Sequence, residues 1–455
     1  MWAFIPDADD HMLNEERLDV ALGVPRCDNK IAYVFATQGY TVLNPFPFVR
    51  SVHVHESDLR YYSKKGDVRV LGGVAYVHPG ATLTEPAELD FDIWAIRTNQ
   101  VRDVKLNRTL ERWAEEARLA ENSRPAWVAH DADWQYPAIT EQHAFNRMRE
   151  LLPTEYGPYD SVYLGFPFAT LIDMHAQHGA DHPRTRVLQA ALDAQVPQLR
   201  RYKQVVTVSQ HIRARQFAEL FIRAGVTDLF WSHCVTGEQF FADAPSMRLH
   251  PFPLYPVQQV PRGAEDFARP RRWLFSFVGA RAQKNYLTRA RDMIIDLLAD
   301  DPRGMVIDRD GWHYQKIVYD AQVLEKAAPG VEGLIDDTHS KAFREIMDDS
   351  VFTLCPSGSG PNSIRLWEAM VNGSIPVILS DSWAAPGDAA LWEAATVRCA
   401  ETAEAIAALP KRLERIAESQ ERLQAMREVL MKLSERYGPK GFVIDLAHYL
   451  DDQLA

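Results

Sequence analysis

The sequence predicts an α/β protein made of two Rossmann-like domains facing a central cleft. Three observations point there. Short apolar, β-prone runs alternate with helical patterns along most of the chain, which argues for parallel sheets. A proline-bearing stretch of mixed charge at 256–272 separates two such series and reads as a linker. Within the second series, residues 351–381 read as strand, glycine-rich loop, helix, tight turn and strand, the layout that holds a nucleotide diphosphate.

The first hundred residues hold strand-like runs at 31–35, 68–77 and 93–96, with a helix at about 106–120. Trp127–Ala129 is a short apolar run leading into His130, Asp131 and Asp133. Strands at 162–166 and 205–208 flank a helix at 184–199. A helical pattern at 210–224 ends at Gly225, and a strand at 226–231 follows. The segment 249–255, with two prolines, suits an edge strand or the exit from the first domain. Beyond the linker, 273–278 opens a second sheet, 287–298 has helical spacing and 305–307 is another strand. Near the end, 411–436 reads as one long charged amphipathic helix with a solvated face, and Ile444–Leu454 as a further helix.

The 351–381 segment has its own internal logic. Residues 351–354 form an apolar strand, and the Pro-Ser-Gly-Ser-Gly-Pro run at 356–361 forces a turn. Ser363 is placed to cap the next helix. In it Leu366, Trp367, Met370 and Val371 make an apolar stripe, while Arg365, Glu368 and Asn372 share another face. Gly373 ends the helix and Ile375–Leu379 is a buried parallel-type strand. A helix opening after a glycine-rich loop offers free N–H groups and a positive dipole end to phosphate oxygens. Arg365 adds a guanidinium, and Glu368 is placed to accept hydrogen bonds from ribose hydroxyls.

This segment resembles the signature of exostosin-family glycosyltransferases. The resemblance rests on Cys355-Pro356-Ser-Gly358, Ser363-Ile-Arg365, Glu368-Ala369, Gly373-Ser-Ile375-Pro376-Val377-Ile378 and Asp381, with Ser374 where the family often has Cys. It covers roughly residues 270–390; the N-terminal half matches by architecture alone. The resemblance implies the GT-B fold: residues 1–262 as an acceptor-binding domain, 271–435 as a nucleotide-sugar-binding domain, and a terminal helix in 436–455 crossing back to the first. It implies transfer of a hexosyl or glycuronosyl group from a nucleotide diphosphate donor, a UDP-sugar, to a hydroxyl of a glycan or glycolipid, in cell-surface polysaccharide synthesis, with inversion and without a metal or resident cofactor. Two alternatives share the donor site: a nucleotide-sugar isomerase of the 2-epimerase type, and a non-catalytic nucleotide-sugar-binding subunit.

Such chemistry needs cations on the leaving diphosphate and a base on the acceptor hydroxyl. For the donor the candidates are Arg281, Lys284, Ser357, Gly358, Ser363, Arg365 and Glu368; Arg281 and Lys284 follow the first strand of the second domain, whereas Arg289 and Arg291 read as structural. For the base they are Asp131 and Asp133, with Asp173, or Glu56 beside His53 and His55, as alternatives; His233 ends a strand and reads as a structural histidine. Asp131 and Asp133 also form a DxD, but so do Asp90 with Asp92 and Asp308 with Asp310, as an acidic chain readily does. His175, His178 and His182 have zinc-like spacing, but Gly179 and Pro183 favour a loop over a single helix.

Composition narrows the remainder. With 455 residues and 46% apolar content the chain can bury two cores. A net charge of −12 argues against nucleic acid as a partner, and leaves peripheral membrane contact to the basic stretch within 261–272. Four scattered cysteines without CxxC spacing suit a reducing compartment. The acidic N-terminus lacks a signal-peptide pattern, and no apolar run approaches a membrane span, so the expected location is cytoplasmic.

Overall fold

The computed structural model describes residues 27–45, 74–80, 82, 84–91, 123–241, 244–259, 267, 269–309 and 337–454. The chain divides into two compact units, 1–123 and 124–455. Residues 1–123, expected within the first domain, therefore form a unit of their own. That unit contains α1 (Cys27–Thr37) and an antiparallel pair, β1 (Ala75–Val77) and β2 (Leu89–Phe91). The run at 31–35 lies inside α1 and is not a strand: a short apolar run suits either state, and the flanking alanines and Asp28 in the first turn favour helix. The runs at 93–96 and 106–120, and His53, His55 and Glu56, lie outside the described residues.

The second unit contains two sheets. The first is built from β3 (Trp127–Ala129), β4 (Ser161–Gly165), β5 (Gln204–Ser209), β6 (Asp228–Trp231), β7 (Phe240–Phe241) and β8 (Ala244–Pro251), in the order β3-β4-β5-β6-β8-β7. All neighbours are parallel except β7 with β8. β4, β5 and β6 are buried along their whole length, as expected of strands covered on both faces. One face (Val162, Leu164, Val205, Leu229, Trp231) packs on α3 (Phe168–His178), α4 (Pro183–Leu199) and α5 (Ala218–Arg223). The other (Tyr163, Val206, Val208, Phe230) packs on Phe145 and Met148 of α2 (Thr140–Leu151) and on Leu446 and Leu450 of α12 (Ile444–Leu454). The last helix of the chain thus completes the first sheet.

That closure carries a polar lock. Asp228, fully buried at the start of β6, accepts from Tyr449 Oη of α12 at 2.6 Å, Arg248 Nη2 at 2.9 Å and Gln204 Nε2 at 2.8 Å, with His250 Nε2 at 2.9 Å. Burial by itself would raise this carboxyl, but these partners together hold it below the ordinary carboxylate range.

The second sheet is parallel throughout: β9 (Trp273–Ala280), β10 (Gly304–Arg309), β11 (Ser350–Pro356), β12 (Ile375–Leu379) and β13 (Val397–Arg398), in the order β10-β9-β11-β12-β13. Numbered along the chain this is 2-1-3-4-5, so the connections reverse direction between β9 and β11. Cα pairing of these two runs from Trp273 with Ser350 to Ser276 with Thr353 and stops, although both strands continue. Their carboxyl ends part, leaving the crevice where open α/β sheets bind ligands. The arrangement is GT-B: two Rossmann-like halves with a cavity between them.

Helices α6 (Ala290–Leu298), α7 (Asp337–Asp348), α8 (Ile364–Val371), α9 (Ala389–Ala395), α10 (Ala403–Glu418) and α11 (Gln420–Tyr437) flank this sheet. The stretch expected as one helix over 411–436 is two, because Ser419 caps α11 by accepting from the Arg422 N–H. The pattern at 210–224 also divides: a 3₁₀ turn at Ala214–Phe217 precedes α5, leaving 210–213 as a loop. α3 runs to His178 and is closed by Gly179 at φ +81°, so His182 lies beyond the break. The segment 249–255 starts inside β8, which is paired on both sides, and then leaves the sheet. Among the described residues no helix is long and apolar enough to cross a membrane.

Candidate functional site

A cavity of about 500 Å³ opens at the β9–β11 crevice and is walled by both halves of the unit. Two helices aim their N-termini at it. α6 follows the loop after β9, and α8 follows the glycine-rich loop after β11. Each carries an arginine as its second residue, Arg291 in α6 and Arg365 in α8, and both line the cavity. Ser363 sits at the N-cap of α8, also on the wall, yet its side chain makes no capping bond. The free N–H groups and dipole ends of these helices reinforce the two guanidinium charges.

The arginines are packed close. Arg365 Nη2 donates to the Val278 carbonyl of β9 at 2.7 Å, while its Nε and Nη1 are buried without a hydrogen-bond partner. Arg291 makes only long contacts, 3.4 Å each, to the Ser357 and Ala280 carbonyls. Phe277 lies under both, 4.7 Å from Arg365 and 6.0 Å from Arg291, and Tyr286 lies 4.9 Å from Arg291. Among the described residues neither arginine forms an ion pair. Burial, then the nearby Arg291 charge, lowers Arg365 to about 10, and burial lowers Arg291 too. Glu368, one turn into α8, accepts from the Gln258 N–H at 2.9 Å; burial raises it to about 7 despite that bond and Arg365. The second half thus brings buried Arg365, partly buried Arg291 and a third arginine, Arg309, to the cavity beside the buried Glu368 carboxyl.

Glycines make this packing fit. A Cβ on Gly279 would stand 2.7 Å from Arg365 Nη2 and 3.4 Å from Arg291 Nη1. One on Gly360 would stand 2.4 Å from His233 Nδ1, so only glycine lets the loop approach the first half so closely. Asn362 ties that loop down, donating to the Ser232 carbonyl at 2.7 Å and accepting from Trp367 Nε1 at 2.8 Å.

The opposite wall comes from the first half. His211 Nε2 lies 2.9 Å from Asp173 Oδ1, and His211 Nδ1 accepts from the Arg213 N–H at 3.0 Å. The other Asp173 oxygen accepts from Gln135, whose own carbonyl oxygen accepts from Gln210 at 2.9 Å. Behind them buried Glu141 accepts from the Ala169 and Gln210 N–H groups and Ser209 Oγ; burial outweighs these bonds and raises it to about 8. His233 is buried in the same wall, and burial lowers it to about 3, so it is neutral.

Of the residues singled out in the sequence, Ser363, Arg365, Glu368, Asp173 and His233 come together at this cavity. Ser357 and Gly358 brace the loop behind it: Ser357 Oγ bonds to Glu401 and lies 3.2 Å from Thr288 Oγ1, and the Gly358 carbonyl accepts from the Leu287 N–H at 2.9 Å. Arg281 forms ion pairs with Asp296 and Asp308, and the next residue of its loop, Ala282, donates its N–H to Asp292. Lys284 is exposed in the next turn and, like Arg281, is not part of the cavity wall. Asp131 and Asp133 also lie off the wall. Asp131 pairs with Arg149 and accepts from Trp134 Nε1, while Asp133, at φ +60°, pairs with His130 and Arg184. Arg291, which reads from the sequence as structural, lies on the cavity wall, as does His211, which the sequence does not single out. The signal for Arg291 was positional: it repeats after β9 the place that Arg365 takes after β11.

Residues 176–415, more than half of the chain, match the family model described as the exostosin GT47 domain. The rice (Oryza sativa subsp. japonica) protein named "Probable glucuronosyltransferase GUT1" is 46% identical over 68 residues, 15% of this chain and 16% of that protein. The Arabidopsis thaliana "Probable beta-1,4-xylosyltransferase IRX10" is 44% identical over 68 residues, with the same shares. The matched segment thus spans about a sixth of these relatives. Among solved structures, Anabaena HepE in complex with UDP and glucose aligns over 71% of this chain and 91% of that one, with 15% identity and a TM-score of 0.32. The alpha,alpha-trehalose 6-phosphate synthase of Burkholderia multivorans aligns over 69% and 74%, with 12% identity and a TM-score of 0.31. The family match takes in the cavity wall of the second half and, of the first, Gln210, His211 and His233 but not Gln135 or Asp173, and by its extent the chain belongs to the exostosin GT47 family.

Proposed function

We propose that this protein is an inverting glycosyltransferase that moves a hexosyl or glycuronosyl group from a UDP-sugar to a hydroxyl of a glycan or glycolipid in polysaccharide synthesis. The observation that carries the reading is the pair of guanidiniums, buried Arg365 and partly buried Arg291, neither in an ion pair among the described residues, at two helix N-termini on the switch point of the second sheet. Two desolvated like charges side by side are unfavourable by themselves; a dianionic diphosphate resolves the repulsion and gains more there than in water. As the glycosidic C–O bond breaks, the leaving oxygen gains charge where these cations are fixed in advance, which is the condition for electrostatic catalysis. Arg291 and Arg365 take the charge-neutralising role, so the proposal is metal-independent. Glu368 faces the ribose, with its raised pKa allowing it to donate as well as accept. The names of the rice and Arabidopsis relatives support glucuronosyl and xylosyl donors as the first to try.

The test is release of UDP from UDP-glucuronic acid, UDP-xylose and UDP-galactose, with and without glycan oligosaccharides, in EDTA. Release that depends on acceptor and persists in EDTA is expected. Conversion of the sugar nucleotide with no UDP release would identify an isomerase instead, and binding of UDP without turnover a non-catalytic subunit.

A further inference from the structure

We infer that Asp173 is the catalytic base, held in position by His211 and Gln135; this rests on the glycosyltransferase reading above. Three facts single it out. Asp173 lies on the wall contributed by the first half, in the same cavity as the cation pair. It is nearly buried but not sealed, with 14% of its side chain exposed and 10% of that of His211. The hydrogen-bond pattern also assigns the roles. His211 Nδ1 accepts a backbone N–H from Arg213, so the ring proton sits on Nε2 and is donated to Asp173. Both nitrogens of His211 are thereby occupied, and it has no lone pair for a substrate proton. Asp173 takes one N–H from His211 and one from Gln135, one on each oxygen. Each carboxylate oxygen offers about two acceptor sites, so lone pairs remain for a hydroxyl.

Gln135 is fixed in turn by Gln210, which donates to Gln135 and to the Ala138 carbonyl and accepts from the Thr140 N–H. The carboxylate therefore has a defined direction, which a base needs before its basicity matters. In the step, the acceptor oxygen bonds to the anomeric carbon as its proton passes to Asp173. The bond from that carbon to the diphosphate oxygen breaks, and the electron pair leaves with UDP against Arg291 and Arg365. One proton and one nucleotide diphosphate are displaced for each new glycosidic bond. Asp131 and Asp133, off the wall and engaged by Arg149, His130 and Arg184, have no part in this step.

The experiment compares Asp173→Asn, His211→Gln and Asp131→Asn with wild type in two assays: calorimetric binding of UDP, and acceptor-dependent UDP release. Asp173→Asn keeps size and shape, so UDP binding should stay within about twofold while kcat falls by about 10²–10⁴-fold, the range for general-base catalysis. His211→Gln should lower kcat by a smaller factor with the donor KM unchanged, the mark of a positioning residue; a merely structural role would move UDP binding and kcat together. Asp131→Asn should leave both alone. An Asp173→Asn protein that binds UDP and retains kcat within threefold would overturn the assignment while leaving the donor site standing. Wild type that binds no UDP would overturn the functional reading and this inference with it.

Discussion

Arg365 donates from Nη2 to the Val278 carbonyl, 2.7 Å away across the crevice between β9 and β11. The bond falls beyond the last Cα pair of these strands, where the sheet no longer closes on itself. A guanidinium fills the place of the missing ladder, and its Nε and Nη1 are left buried without partners. Stability alone gives no reason for a charge there.

Replacing Arg365 with Met should therefore separate binding from folding. Loss of the donor to the Val278 carbonyl costs about 1–3 kcal/mol and removal of a desolvated charge offsets it, while loss of a charge-assisted contact to phosphate weakens binding by about 1.5–3 kcal/mol, roughly 10–150-fold. Denaturation midpoint and UDP affinity, measured on the same protein, should move independently. A parallel collapse of both would assign Arg365 a structural role.

Gly279→Ala tests the packing of the pair without touching either arginine. The new methyl would stand 2.7 Å from Arg365 Nη2, and the atoms on both sides are closely packed. Overpacking of this kind costs about 1–3 kcal/mol, and the displaced guanidiniums should weaken UDP binding at least as much as stability. Urea titration with and without UDP reads both.

The buried acids give opposite pH dependences. Glu141 has a folded value of about 8 against an ordinary 4.5, so the folded state binds the extra proton between them. Its contribution to stability is complete below 4.5 and is lost as pH rises through about 8; Glu368, at about 7, acts in the same direction. Asp228 is shifted down, so its contribution is present above its ordinary 3.8 and is lost as pH falls through the lower folded value. Glu141→Gln should flatten the fall in melting temperature between pH 5 and pH 8, and Asp228→Asn the fall on the acid side. Unchanged slopes in both variants would contradict these assignments.

Tyr449→Phe removes one donor from the buried Asp228 carboxylate and loosens α12 from the first sheet. A hydrogen bond to a charged group contributes about 1.5–3 kcal/mol, so a loss of that size in chemical denaturation is expected. UDP affinity should stay the same, because Tyr449 lies away from the cavity.

The part of the second half's cavity wall contributed by the glycine-rich loop and α8 was legible because it is one contiguous stretch of sequence. Ser363, Arg365 and Glu368 fall within a stretch of six residues, and the loop and helix that place them are contiguous in sequence. Strands β4, β5, β9, β11 and β12 were equally plain, being apolar runs bounded by turn residues. The opposite wall was not legible in the same way. Asp173 and His211 are 38 residues apart and meet only when α3 and the loop after β5 pack together. Asp131 and Asp133 had as good a local pattern, and only tertiary packing shows that Asp173 lies on the cavity wall while these two lie off it, Asp131 paired with Arg149 and Asp133 at positive φ. Arg281 was drawn off by Asp296 and Asp308, one on the following helix and one on the neighbouring strand, a contact that spacing does not reveal.

Arg291 and Arg365 are proposed to form a diphosphate site that needs no metal. Titration of UDP into the wild-type protein in EDTA, and into Arg291→Met and Arg365→Met, tests the proposal most directly. Binding by the wild type should be unaffected by EDTA, with stabilisation of about 2.7 kcal/mol at 100 times the Kd, and each variant should bind at least about tenfold more weakly with a correspondingly smaller stabilisation. Binding that appears only when Mn²⁺ is added, or that both substitutions leave unchanged, would contradict the proposal.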